Sequence, residues 1–157
     1  MSSSYETREN LRDANRALRK TINEKNIEIL KLRKELEIYM QEQLKQLDSF
    51  KQVFNSFQMK IHENAKDKGW HEQEPRNNGE LIALCHSELS EALEYLRHDN
   101  PKSDHIPEFT GVEEELADVI IRIMDMAQLR GWDIAGAMIA KHEFNRIRSH
   151  RHGGKQF

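Results

Sequence analysis

Apolar positions in the first third of the chain recur at alternating spacings of four and three. Leu11, Leu18, Leu32 and Tyr39 occupy one seam position, interrupted by Lys25, while Asn15, Ile22, Ile29 and Leu36 occupy the other. This is a heptad repeat with β-branched residues and one Asn at the a-like positions, which favours a parallel two-stranded coiled coil with Asn15 fixing its register. The seam shifts near Met40 and continues as Met40, Leu44, Leu47 and Phe54, a stutter where an arm meets the body of the protein. The first glycine is Gly69 and the first proline Pro75. A stretch without either breaker, rich in Leu, Glu, Lys, Arg and Gln, predicts one nearly uninterrupted helix. The same seam also allows a single amphipathic helix folded back on its own domain.

Beyond Gly69 the punctuation is regular. Residues 69–78 read as a loop, and a second helix over 81–98 follows, with Asn77 as N-cap and Glu80 at capping-box spacing. Pro101 and Pro107 mark a second loop. The third helix, 111–130, opens on Thr110 with Glu113 as its box partner and ends at Gly131. Asp133 caps a fourth helix over 134–150, and a tail of residues 151–157 closes the chain. No strand-like alternation occurs. The expected architecture is therefore all-α, a four-helix-bundle-type domain over residues 47–157 with an N-terminal coiled-coil arm over residues 1–46.

Composition agrees with that picture. The 157 residues suffice for one domain and an appendage. Apolar content of 37% and charge of 32%, against about 45–50% and 25% in ordinary globular domains, suit long exposed helices around a small core. Cys85 has no second cysteine to pair with, so a reducing compartment is expected. No apolar run approaches the roughly 18 residues of a membrane span. The opening MSSSYETREN lacks the apolar core of a secretory signal. A cytoplasmic protein is expected. The net charge of −3 divides into +3 over residues 1–60 and −6 over the remainder. The arm's charges alternate in sign, as in Arg12, Asp13, Arg16, Glu24, Lys25 and Glu28, so they read as a solvated helix face and nucleic acid is not an expected partner.

Candidate chemistry lies on the second and third helices. On the second, Glu88 falls inside the apolar arc of Leu81, Leu84, Cys85, Leu89, Ala92, Leu93 and Leu96, and Glu91 lies at its edge. A carboxylate among leucines is costly unless a cation or hydrogen-bond donors meet it. Glu115 and Asp118 repeat the i, i+3 spacing on the third helix. Taken alone, the stripe of Glu115, Asp118, Arg122 and Asp125 reads as a solvated face opposite the apolar residues Leu116, Val119, Ile120, Ile123, Met124 and Ala127. Brought together, the two pairs form an oxygen-only site of four carboxylates, suited to Mg²⁺ or Mn²⁺ rather than Zn²⁺. A ferritin-like di-iron site would need Glu-x-x-His twice, which the pairs do not supply, and no His-Glu-x-x-His motif occurs. On the fourth helix Lys141, Asn145 and Arg148 share a stripe suited to a polyanion, or simply form a basic helix end favoured by the helix dipole.

ELSE at Glu88–Glu91, EELAD ending at Asp118 and KHEFNRIR at Lys141–Arg148 resemble the all-α nucleoside triphosphate pyrophosphohydrolases, the MazG-like and dCTP-pyrophosphatase-like enzymes. The resemblance covers roughly residues 50–157 and omits most of the arm. It implies hydrolysis of a (deoxy)nucleoside triphosphate to the monophosphate and pyrophosphate with Mg²⁺. By that likeness Glu88, Glu91, Glu115 and Asp118 are metal ligands and catalytic groups, one of them assisting deprotonation of the attacking water. Lys141, Asn145 and Arg148 would hold phosphate oxygens. The GW…PRN loop is similar to the nucleoside-side loop of the dCTP-pyrophosphatase branch. Trp70 would then stack on the base, with His71, Arg76 and Asn77 at its edge, although Trp70 equally suits a hydrophobic plug; Trp132 is assigned to packing. The resemblance also implies a homo-oligomer, dimer or tetramer, in which neighbouring subunits complete the site. Hydrolysis of phosphoribosyl-ATP on the same fold, and a coiled-coil interaction protein without catalysis, are the competing expectations.

Overall fold

The computed structural model describes residues 3–72 and 76–149. Four helices follow one another: α1 (Ser3–Asp67), α2 (Asn78–Arg97), α3 (Gly111–Arg130) and α4 (Ile134–Arg146). Among the described residues there is no strand, only one antiparallel bridge between Lys102 and Thr110, and no helix is long and apolar enough to cross a membrane. The chain is all-α, as its pattern requires. Pro75, His150 and the tail 151–157 lie outside the described residues.

The chain divides within α1 into two units, Met1–Asp48 and Ser49–Phe157. In the first unit every described side chain from Arg8 onward is exposed. Its seam residues are no exception, with Leu11 at 59% and Leu32 at 57% exposure. What this unit satisfies internally is charge. Lys25, the residue that interrupts the seam, holds Glu28 at 2.7 Å, and Lys20–Glu24 and Lys31–Glu35 pair one turn apart. Such exposed pairs contribute only a few tenths of a kcal/mol each.

In the second unit α2 and α3 form an antiparallel hairpin. Arg130 near the end of α3 donates to Asn78 at the start of α2 at 2.8 Å. At the other end, the Gly111 N–H donates to Pro101 O at 2.9 Å. The connection turns sharply because Asp99 and Asn100 take left-handed backbone angles, φ 60° and 49°, which short polar side chains tolerate. Asn100 Oδ1 then accepts from the Val112 N–H at 3.1 Å, and the buried Ser103 Oγ accepts from the N–H groups of His105 and Ile106.

Local signals set the helix ends. Thr110 and Glu113 form the complete reciprocal box at the start of α3. Asn77 caps α2 by accepting from the Glu80 N–H at 2.9 Å, but the Glu80 carboxylate turns to Arg76 at 3.3 Å rather than back to the cap. Gly131 ends α3 at φ 68°, a left-handed cap. Asp133 Oδ1 receives the Gly136 N–H at 2.8 Å, and Asp133 also meets Lys51 of α1 at 3.0 Å. The fourth helix stops at Arg146, four residues short of the expected end.

The core is thin. Its buried apolar residues are Leu81, Ala92, Met124, Met126, Ala127 and Ala135, and no large side chain among the described residues is fully enclosed. Much of the expected apolar face of α2 and α3 instead looks outward, with Leu93 at 49% and Ile120 at 54% exposure. Close helix approach is permitted at Gly111, where a β-carbon would collide with the Tyr95 ring. Gly111→Ala should therefore cost about 1–3 kcal/mol of stability, the usual penalty for overpacking. An unchanged urea-unfolding midpoint would contradict that contact.

Candidate functional site

The α2–α3 hairpin brings carboxylates from both helices together. Glu88 is 5% exposed and Glu115 7%, while Glu91 is exposed. One carboxylate oxygen of each lies within 4.8 Å of the others. Asp118, one turn along α3, is half-buried and falls outside this tight group, lining a neighbouring cavity. Three of the four acidic residues thus converge in the single chain, with the fourth at the cavity wall.

The cation that a buried Glu88 demands is Arg122, whose Nε and Nη2 both reach Glu88 Oε1. Arg122 corrects the expectation of a solvated charged face on α3. The stripe Glu115, Asp118, Arg122 and Asp125 turns inward, while Leu116 and Ile120 of the apolar side are exposed. A signal for this exists in the sequence, because that stripe has the same helical period as the apolar one. Nothing in a single helix says that the polar stripe packs as well, alongside the buried Met124 and Ala127 of the apolar one.

One guanidinium does not balance so much negative charge. The Glu115 carboxyl is pushed up to about 7, first by loss of water, then by its hydrogen bond with Glu88 and the charges of Glu91, Glu88 and Glu114. Asp118 is raised as well, chiefly by burial and then by Glu88, with Arg122 opposing. Glu91 keeps a weak hydrogen bond from Ser87 Oγ at 3.4 Å. The donor set is oxygen only, buried at Glu88 and Glu115, and short of positive charge, so the residues fit a hard divalent cation of the Mg²⁺ or Mn²⁺ class.

Beside the carboxylates lies a cavity of about 460 Å³, whose lining includes Trp70, His71, Arg76, Asp118, Arg122 and Asp125. Arg76 sits over the Trp70 ring at 5.2 Å from its centre, and its carbonyl accepts from Arg130 Nη2. Trp70 is 52% exposed, so it is not a buried plug. Trp132, assigned to packing, is 41% exposed. Of the residues expected at a base, Trp70, His71 and Arg76 line the cavity, whereas Asn77 does not, its side-chain oxygen being occupied as the α2 cap.

Lys141, Asn145 and Arg148 are not brought to this cavity. All three are exposed, and Arg148 lies past the end of α4 rather than on its stripe. Both cations gather instead at Phe144, Lys141 Nζ at 4.6 Å and the Arg148 guanidinium at 5.5 Å from the ring centre. His62 and Asp125, absent from the expected site, form a second cluster with His71 at the cavity.

Compared with known proteins, the chain matches no family model, no curated protein and no solved structure.

The raised Glu115 pKa carries a sign. Between its ordinary value of 4.5 and about 7, the folded chain holds a proton that the unfolded chain releases, so this group's contribution is full below 4.5 and is lost as pH rises through about 7. Without divalent cations, Glu115→Gln should flatten the fall in thermal midpoint across that window and be the more stable form above it. Parallel pH profiles for the two proteins would contradict the crowding of these carboxylates.

Proposed function

We propose that the chain is a divalent-cation-dependent nucleoside triphosphate pyrophosphohydrolase of the MazG-like kind. The reading rests on the convergence of Glu88, Glu91 and Glu115, with Asp118 adjacent, beside a cavity that carries a tryptophan and an arginine. The reaction is hydrolysis of the phosphoanhydride between the first and second phosphates, with water as the nucleophile and pyrophosphate as the leaving group. Mg²⁺ held by these carboxylates would neutralise polyphosphate charge and acidify water.

The chain's own residues supply the remainder. Arg122 orients Glu88 in its buried position, as a charge-assisted pair does. Trp70 offers an exposed aromatic face at the cavity for a planar base, and Arg76 at its ring adds a cationic edge. Lys141 and Arg148, exposed and converging on Phe144, suit phosphate oxygens. Since they do not line the cavity of their own chain, this function calls for a second copy to present them. The outward apolar residues of α2 and α3 support such a homo-oligomer, dimer or tetramer.

A second reading, a coiled-coil interaction protein, is favoured by the fully exposed heptad seam of residues 11–39. A helix of this length with an unburied apolar face gains most of its stability from a partner. The two readings separate experimentally. Purified protein with Mg²⁺ or Mn²⁺ should release pyrophosphate from at least one nucleotide of a canonical and damaged panel. Glu91→Gln and Glu115→Gln should each lower that rate by roughly 100-fold or more, at unchanged helicity. No turnover across the panel would end the enzyme reading. Removing residues 1–46 should leave hydrolysis intact while lowering the oligomeric mass measured by light scattering; unchanged mass would contradict pairing through the arm.

A further inference from the structure

A second group of ligand-type side chains, reaching the cavity through His71 and Asp125, is chemically unlike the carboxylate site. His62 comes from α1, His71 from the turn after it, and Asp125 from α3. His62 Nδ1 lies 2.7 Å from Asp125 Oδ1, and His71 Nε2 lies 3.0 and 3.1 Å from the two oxygens. The imidazole centres are 4.8 Å apart. All three side chains are largely enclosed, at 16–18% exposure.

We infer that His62, His71 and Asp125 form a binding site for one transition-metal dication of the Zn²⁺ class. Two imidazole nitrogens and one carboxylate oxygen are the borderline-soft donor set that prefers Zn²⁺ or Co²⁺, whereas Mg²⁺ prefers oxygen alone. In a four-coordinate ion with bonds of about 2.0–2.1 Å, ligand atoms stand roughly 3.4 Å apart. The present N···O spacings of 2.7–3.1 Å need to open by about 0.3–0.7 Å. Each neutral ring can carry its proton on the nitrogen facing away, leaving the facing one free to coordinate.

The framework around the cluster is built independently of it. The Trp70 N–H bonds to Ala65 O at 3.1 Å and the Gly69 N–H to Lys66 O at 2.9 Å, so His71 is held by the backbone and not only by Asp125. One turn before His62, Gln58 is 5% exposed. Its Nε2 donates to Gln128 at 3.0 Å, while its buried Oε1 meets no donor among the described residues. The α1 turn that carries His62 therefore also carries an unpartnered buried acceptor. Three protein ligands leave a fourth position, and because His71 and Asp125 line the cavity, it opens there. This site uses none of the carboxylates assigned to the proposed hydrolase and stands or falls without that reading.

The test is titration of the untagged, chelator-treated full chain with Co²⁺, followed by visible absorption, then competition with Zn²⁺ and with Mg²⁺. One equivalent should give the intense spectrum of low-symmetry four-coordinate Co²⁺, displaced by Zn²⁺ but not by excess Mg²⁺. Zn²⁺ should also raise the thermal midpoint. Asp125→Asn and His71→Gln should each weaken Co²⁺ binding by at least about tenfold, the loss that even an outer partner's removal brings. His71→Gln retains a donor for Asp125, so it separates loss of the ligand from loss of the turn, and circular dichroism checks that helices persist. Glu115→Gln should leave the spectrum unchanged. Failure to bind Co²⁺, a spectrum that survives His62→Ala with His71→Ala, or one abolished by Mg²⁺ or Glu115→Gln would overturn the assignment and leave the cluster a hydrogen-bonded clamp.

Discussion

The pairing of Glu88 with Arg122 is the constraint from which the rest of the second unit follows. A carboxylate at 5% exposure has surrendered its water, and without a partner its ionised form would be prohibitive there. Arg122 meets it from the facing helix, and the hairpin fixes that meeting. With the end of α3 tied to the start of α2 through Arg130 and Asn78, the middle of one helix must face the middle of the other. Glu115 is then carried into the same acidic surroundings, and its proton affinity rises accordingly.

This arrangement buries parts of both stripes of α3, Glu115 on the polar side together with Met124 and Ala127 on the apolar side. The polar stripe of α3 turns toward α2 and α1, and apolar residues such as Leu116 and Ile120 remain outside. Burial of apolar surface yields roughly 25 cal/mol per Å², so an isolated unit forgoes a substantial part of its available stabilisation. The homo-oligomer proposed above would cover this surface and bring Lys141 and Arg148 to the proposed site.

Two groups of ligand-type side chains meet one cavity, through Asp118 on one side and His71 and Asp125 on the other, and they differ in kind. The carboxylates of α2 and α3 form a hard, oxygen-only set with excess negative charge. His62, His71 and Asp125 offer nitrogen and a single carboxylate. The difference in donor softness, rather than position, is what would let the two groups discriminate between cations.

The helices and most of their ends were legible in the sequence because their causes are local; the early stop of α4 at Arg146 was not. Thr110 with Glu113, Gly131 and Asp133 act within four residues of themselves, and the absence of glycine and proline before Gly69 suffices for α1. The acidic spacing of Glu88, Glu91, Glu115 and Asp118 could likewise be read along the chain. Tertiary structure alone decided that the polar stripe of α3 turns inward, that Arg122 rather than solvent answers Glu88, and that His62 meets Asp125 from 63 residues away. Those outcomes depend on desolvation and Coulomb energies between groups remote in sequence, which take a value only after folding sets their separation and excludes water.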